Sequence, residues 1–250
     1  MTDLPLKDRI ALVVGASRGI GYESALALAK AGAHVIATAR TVGGLEELDD
    51  AIYAATGKHA TLIPFDLVDG GAIDRLGGAI YERFGRLDIW VQAAATMGAS
   101  GLTPVSHGDP RIWAKVEKTN FTAVYRLIRS LEPLLKASDA GRVVHLTTSV
   151  AAAPKAFWGM YAATKAGAEA LLKCWADEIE SMPIRVSIVD PGRMRTAMRA
   201  QAYPGEDPQD VVHPSAIGPL IVELSRGDLE PPLEVSFKDW SHGPGVAALI

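Results

Sequence analysis

Five apolar residues that run straight into a glycine-rich turn constrain this chain more than any other stretch. Ile10-Ala-Leu-Val-Val14 is followed by Gly15-Ala16-Ser17-Arg18-Gly19-Ile20-Gly21, and Glu23 to Lys30 then has helical composition. That order reads as strand, tight turn and helix. Glycines at 15, 19 and 21 let the backbone approach a ligand closely, and the helix N-terminus supplies free N–H groups and the positive end of its dipole. Such a cradle suits a pyrophosphate. With a second strand from Ala33 to Ala39 directly after the helix, dinucleotide binding is preferred over a simple turn.

The second strand, His34-Val-Ile-Ala-Thr-Ala-Arg40, ends where the adenosine ribose of a dinucleotide lies in such a unit. An acidic residue there would bind a 2′-hydroxyl, but the chain has Ala39 and Arg40, and the glycine loop adds Arg18. Two guanidiniums suit a 2′-phosphate, so the sequence predicts NADP (NADPH) in preference to NAD. As an alternative, either arginine is solvated surface. Thr61-Leu-Ile-Pro-Phe-Asp66 reads as a third strand, with Asp66 placed to accept from an adenine amino group, or with Asp66 or Asp69 capping the next helix. A helix from Ala72 to Phe84 and a strand at Leu87-Asp-Ile-Trp-Val91 continue the alternation. The fold class predicted is α/β, a doubly wound parallel sheet of about seven strands with helices on both faces.

With 250 residues, 48% of them hydrophobic, the chain can bury one large core, and a single domain over residues 1–250 is expected. Net charge is −4 and the 25 Lys and Arg form no basic run, which argues against nucleic acid or an anionic membrane and for a small-molecule partner. The first residues contain no apolar signal-like core, and 18 uncharged apolar residues never run together, so a soluble, cytoplasmic protein is expected. Cys174 is the one cysteine and reads as a small core residue. The six histidines lack metal-ligand spacing, so no metal site is expected.

A second constellation carries chemistry. Tyr161-Ala-Ala-Thr-Lys165 lies in an Ala-rich helix predicted from Gly159 to Met182, and residues four apart share a helix face. A free tyrosine titrates near pH ~10. An ammonium beside it favours the phenolate, so the pair is read as an acid/base device, against the plainer alternative of an aromatic ring packed on an aliphatic stem.

These motifs, together with Asp66, Asn120, Thr147-Thr148-Ser149, Asp190-Pro191-Gly192 and Thr196, resemble the short-chain dehydrogenase/reductase family over roughly residues 7 to 200. The resemblance implies a Rossmann fold, a bacterial NADP-dependent oxidoreductase, and a catalytic set of Asn120, Tyr161, Lys165 and a hydroxyl. Tyr161 would exchange the proton of a carbonyl or alcohol substrate; Lys165 would contact the nicotinamide ribose; Asn120 would bend its helix and hold a relay water. The family's serine spacing falls on Thr148, while residue type points to Ser149. Cofactor contacts are implied for Gly15, Ser17, Arg18, Gly19, Ile20 and Gly21 in the loop, and for Arg40, Asp66, Leu67 and Ala93 beyond it. Pro191, Gly192, Met194 and Thr196 complete the set, Thr196 bonding the carboxamide.

Where the family has Asn-Asn-Ala-Gly, this chain has Gln92-Ala93-Ala94-Ala95. That departure keeps a cofactor-binding sensor or scaffold without turnover, or a non-redox epimerase or dehydratase, as alternatives. Residues 197–213 are expected to form a substrate lid, and Met194, Met198 and Tyr203 suggest a substrate with hydrophobic bulk. A last strand is predicted at Leu233-Glu-Val-Ser-Phe237, and the resemblance implies a homodimer or homotetramer joined through two long helices, here Ile112 to Lys136 and Gly159 to Met182.

Overall fold

The order of the strands across the sheet is what creates the site. In the computed structural model, which describes residues 4–99 and 101–242, seven parallel strands are ordered β3-β2-β1-β4-β5-β6-β7. They are β1 (Ile10–Val14), β2 (His34–Ala39), β3 (Thr61–Pro64), β4 (Ile89–Gln92), β5 (Gly141–Leu146), β6 (Ile184–Asp190) and β7 (Glu234–Ser236). The direction of progression reverses between β1 and β4, and the chain leaves both strands at the same end, so a crevice opens beyond Val14 and Gln92.

The helices are α1 (Gly19–Lys30), α2 (Val42–Thr56), α3 (Gly70–Phe84), α4 (Pro110–Glu117), α5 (Ala123–Lys136), α6 (Ser149–Ala152), α7 (Gly159–Glu178), α8 (Ala197–Ala202), α9 (Gly218–Leu224) and α10 (Phe237–Ser241). Successive residues of β1 face opposite layers, as the strand period requires. Ala11 and Val13 pack with α1, α2 and α9, whereas Leu12 and Val14 pack with α3, α5 and α7 around Trp90. Both faces of the sheet are therefore covered, and the strands read as continuous apolar runs.

Several boundaries differ from expectation, each for a local reason. Helix α1 starts at Gly19 rather than Glu23, because the glycines that hide its first turn from a propensity reading are themselves helical. Helix α2 was not expected at all; it opens Val-Gly-Gly with no side-chain cap. Asp69, not Asp66, caps α3, its carboxylate accepting from Ala72 N. The long helix expected from Ile112 is broken into α4 and α5 by a π turn, Lys118–Thr122, that contains Asn120. Helix α7 ends at Glu178, four residues before Met182. Cys174 is exposed, correcting its reading as core. The buried side of α7 runs through Tyr161, Lys165, Ala168, Leu172 and Trp175, and Cys174 falls between its rows. The tail beyond residue 242, like residues 1–3, lies outside the described residues.

Asp88, immediately before β4, is fully buried and ties the N-terminal strand to the sheet. Its carboxylate accepts from Ile10 N at 2.8 Å, Ser138 Oγ at 2.6 Å and Arg86 Nε at 3.1 Å. Asp88→Ala is expected to lower unfolding free energy by about 3 kcal/mol, since it strands a buried N–H and a buried hydroxyl at about 1–3 kcal/mol each. Urea denaturation checks this, and an unchanged midpoint would show that solvent replaces the carboxylate at no cost.

Candidate active site

The loop from Gly15 to Gly21 lies against the end of β4. Gly15 has φ of 90°, and its N–H and that of Ala16 donate to Thr38 O at 2.8 and 3.1 Å. A Cβ on Gly21 would stand 2.1 Å from Gly15 O, and one on Gly15 would stand 2.7 Å from the Ala94 backbone. No side chain fits at either position, so the glycines permit a close backbone turn that leaves the N-terminal N–H groups of α1 facing the crevice.

A cavity of about 530 Å³ follows this crevice. Its walls on the β2–β3 side include Arg18, Arg40, Asp66 and Leu67; Ser17, Ile20 and Ala93 line its middle. On the β5–β6 side it is lined by Thr148, Tyr161, Pro191, Gly192, Met194 and Thr196. Arg40 is half exposed, 3.8 Å from Asp66, whose carboxylate also accepts from Val68 N at 3.2 Å. Asp66 thus lies just past β3 rather than within it. Thr196 caps α8 through a bond from Arg199 N at 3.1 Å while still lining the cavity, so the capping reading and the binding reading are both open to it.

Of the two hydroxyls considered, Thr148 lines the cavity and caps α6, whereas Ser149 is exposed and is not among the lining residues. Strict spacing, rather than residue type, identified the one that faces the cleft. Thr147 is engaged elsewhere, its hydroxyl donating to the Glu169 carboxylate.

Tyr161 is 9% exposed and packs beside Trp158, with ring centroids 5.8 Å apart. Burial, reinforced by the charge of Asp190, pushes its phenol up to about 12. Lys165 is 2% exposed; its Nζ donates to Leu146 O at 2.5 Å and is hydrogen-bonded to His145 Nε2 at 2.9 Å. Burial draws this ammonium down to about 7, against a smaller upward pull from Glu169. In this arrangement burial, rather than the lysine, dominates the phenol. The lysine head is turned to the end of β5, and no described hydrogen bond joins it to Tyr161.

Asn120 is buried in the π turn and bends the helix as expected, but its amide is occupied. Oδ1 accepts from Thr96 N at 2.8 Å, while Nδ2 donates to Thr96 O at 2.8 Å and to Thr164 Oγ1 at 3.1 Å. These bonds clamp the loop after β4 to α7. Gln92, the first residue of the altered segment, donates from Nε2 to Ala94 O at 3.2 Å.

Residues missed by the sequence reading also line the cavity, among them Met97, Lys115, Trp158, Gln201 and Ala202. The only signal for Trp158 was its place just before the Tyr161 helix, and Met97 gave none, because it lies in irregular chain after β4. The segment 197–213 carries α8 over one end of the cavity. There Arg199 Nε and Nη2 pair with Glu206 at 2.6 Å each, and its guanidinium stacks on Tyr203 at 3.7 Å. Among the described residues, no helix is long and apolar enough to cross a membrane, and no cluster of three or more metal-ligating side chains occurs.

A doubly wound parallel sheet whose β1 glycine loop shares one cleft with a Tyr-x-x-x-Lys helix defines a Rossmann-type dinucleotide-binding oxidoreductase. The chain belongs to the short chain dehydrogenase family, whose model matches residues 9–207. It is 38% identical over 225 residues to the uncharacterized oxidoreductase YciK of Escherichia coli, spanning 89% of this chain and 88% of that one. It is 30% identical over 202 residues to the 2,3-dihydro-2,3-dihydroxybenzoate dehydrogenase of Bacillus subtilis, over 81% of this chain and 76% of the other. A short chain dehydrogenase of Shigella flexneri complexed with NADP superposes with a TM-score of 0.90 at 36% identity, covering 96% of this chain and all of that one. A second, from Escherichia coli and complexed with NADPH, gives 0.86 at 36% identity, covering 95% and 98%.

Proposed function

We propose that this chain is an NADPH-dependent carbonyl reductase in which Tyr161 gives the proton. One observation carries the proposal: the Tyr161 side chain lines the same cavity as the glycine loop and the paired arginines. The residues fit the cofactor, since the loop has no Cβ where a pyrophosphate would lie and the ribose end has Arg18 and Arg40 with no acidic residue at position 39. Bound NADPH would supply the hydride. Similarity to proteins crystallised with NADP and NADPH supports the choice of dinucleotide.

Tyr161 lines the cavity from α7, and its phenol is protonated at neutral pH, so it is placed to donate to a carbonyl oxygen. Thr148 orients that oxygen with its hydroxyl, and Lys165, buried behind the cavity wall one turn from Tyr161, keeps one N–H beyond its contacts to Leu146 O and His145. Met97, Trp158 and Met198 give the substrate end an apolar wall, so the substrate carries hydrophobic bulk. Residues 197–213 act as the lid of one catalytic domain. Exposed Trp113 and Tyr125 near the two long helices favour a homodimer built on them, to be read by light scattering. The single unpaired cysteine fits a reducing cytoplasm.

A panel of apolar ketones run with NADPH and NADH in parallel tests the proposal. Net NADPH oxidation supports it. Tight binding without turnover would instead mark a sensor, and product without net cofactor change an epimerase or dehydratase. Arg40→Ala is expected to raise the NADPH dissociation constant about 10- to 100-fold, the loss of one charged contact of about 1.5–3 kcal/mol, with little change for NADH. Equal losses for both would remove the 2′-phosphate role.

A further inference from the structure

A buried imidazole stands next to the lysine, and the reaction proposed above makes no use of it. His145, on β5, is buried at 1% exposure, and its Nε2 lies 2.9 Å from Lys165 Nζ. When the lysine is charged it has only donors, so in that state the contact makes Nε2 the acceptor and puts the ring proton on Nδ1. That Nδ1 has no partner, and neither does buried Gln92 Oε1; they are two of three such side-chain atoms among the described residues. The two residues are register partners on adjacent strands, β4 and β5. Register partners project from the same face of the sheet, with strands about 4.8 Å apart. One orphan is a donor and the other an acceptor, and buried polar groups left alone are costly, which makes a link between them through one water the natural completion. Gln92 in turn holds Ala94 O, and the Ala94 backbone is what a Cβ on Gly15 would strike.

We infer that His145 and Gln92 are positioning residues for Lys165, forming a buried file that runs from the lysine head through the imidazole and the amide to the backbone that abuts the glycine loop. The role rests on Lys165 serving the proposed reaction as an ammonium. Two of its three donors are fixed by Leu146 O and His145, so the direction of the third is set before any ligand arrives. The file also gives the Gln92-Ala-Ala-Ala95 departure a purpose: Gln92 can orient an imidazole on the neighbouring strand while gripping the loop.

The charged group acting on this lysine is Glu169 from α7 itself; the lysine acts on His145 of β5, its hydrogen-bond partner, and Asp190, at the end of β6, acts on Tyr161. His145 is held well below its usual range by burial and by the lysine charge, so it is neutral at working pH and able to accept. Removing the acceptor destabilises the ammonium. The lysine then loses its proton at lower pH, and ketone reduction, which needs the charged form, fails earlier as pH rises.

Long-range proton–nitrogen NMR on the full chain, with the His145 signal assigned from its absence in His145→Asn, tests the geometry without any turnover. A neutral ring protonated on Nδ1 is expected; a ring protonated on Nε2 overturns the inference. For function, His145→Phe is expected to move the alkaline loss of kcat/KM down by about one pH unit and to lower its plateau about tenfold. Because an amide oxygen can accept from Nζ, His145→Asn should return the profile toward wild type, and Gln92→Leu should shift it in the same sense as His145→Phe by a smaller amount. A His145→Phe profile that overlays wild type overturns the inference while leaving the reductase proposal standing. Should wild type reduce no ketone, the reductase proposal fails and the tautomer alone decides the inference.

Discussion

Tyr161→Phe is expected to reduce kcat/KM for ketone reduction by about 10³-fold or more, within the range for loss of a positioned proton donor. The ring remains, so its packing on Trp158 and its place in the small apolar cluster with Met97, Val150 and Ala162 should persist. NADPH affinity should therefore hardly change, and stability should stay within about 1 kcal/mol, because the hydroxyl opens onto a cavity rather than anchoring the fold. Loss of kcat with unchanged binding is the signature of an interaction made in the transition state. Single-turnover kinetics and fluorescence titration with NADPH read the two quantities separately. Turnover close to wild type would mean that the proton comes from Thr148 or from solvent, and Tyr161 would revert to a packing residue.

Gly21→Ala is expected to abolish measurable NADPH binding. The added carbon would stand 2.1 Å from Gly15 O, a backbone atom, so no side-chain rotation can relieve the clash. Either the first turn of α1 unwinds or the loop lifts from β4, and both responses move the N–H groups that the pyrophosphate needs. Overpacking of this kind costs about 1–3 kcal/mol in stability, so the variant should fold with a lowered melting temperature. The measurement is a pair: NADPH titration, expected to fall at least about 100-fold in affinity, and circular dichroism, expected to stay native at low temperature. Binding within a few-fold of wild type would show that this turn does not cradle the dinucleotide.

How far the sequence foretold this molecule depends on whether each feature has a local cause. The apolar runs that became β1, β2, β5 and β6 were found within a residue of their ends, because a strand buried on both faces leaves a continuous signature. The glycine loop was legible for the same reason, since its backbone demands a residue type. The π turn at Asn120 was not, because inserting one residue into a helix scarcely alters the surrounding periodicity. Nor was the direction of Lys165. Spacing on a helix fixes which face a side chain leaves from, but a four-carbon stem then goes to the best acceptors within reach. Here those are Leu146 O and His145, nineteen and twenty residues away in sequence. Cys174 failed for a related reason: apolar neighbours along the chain are not neighbours around the helix.

The pairing of Arg199 with Glu206, and its stacking on Tyr203, has a consequence for timing. A segment clasped to itself between residues 199 and 206 incurs its ordering entropy during folding, before any ligand arrives. Because the clasp is an ion pair, raising the ionic strength should loosen it.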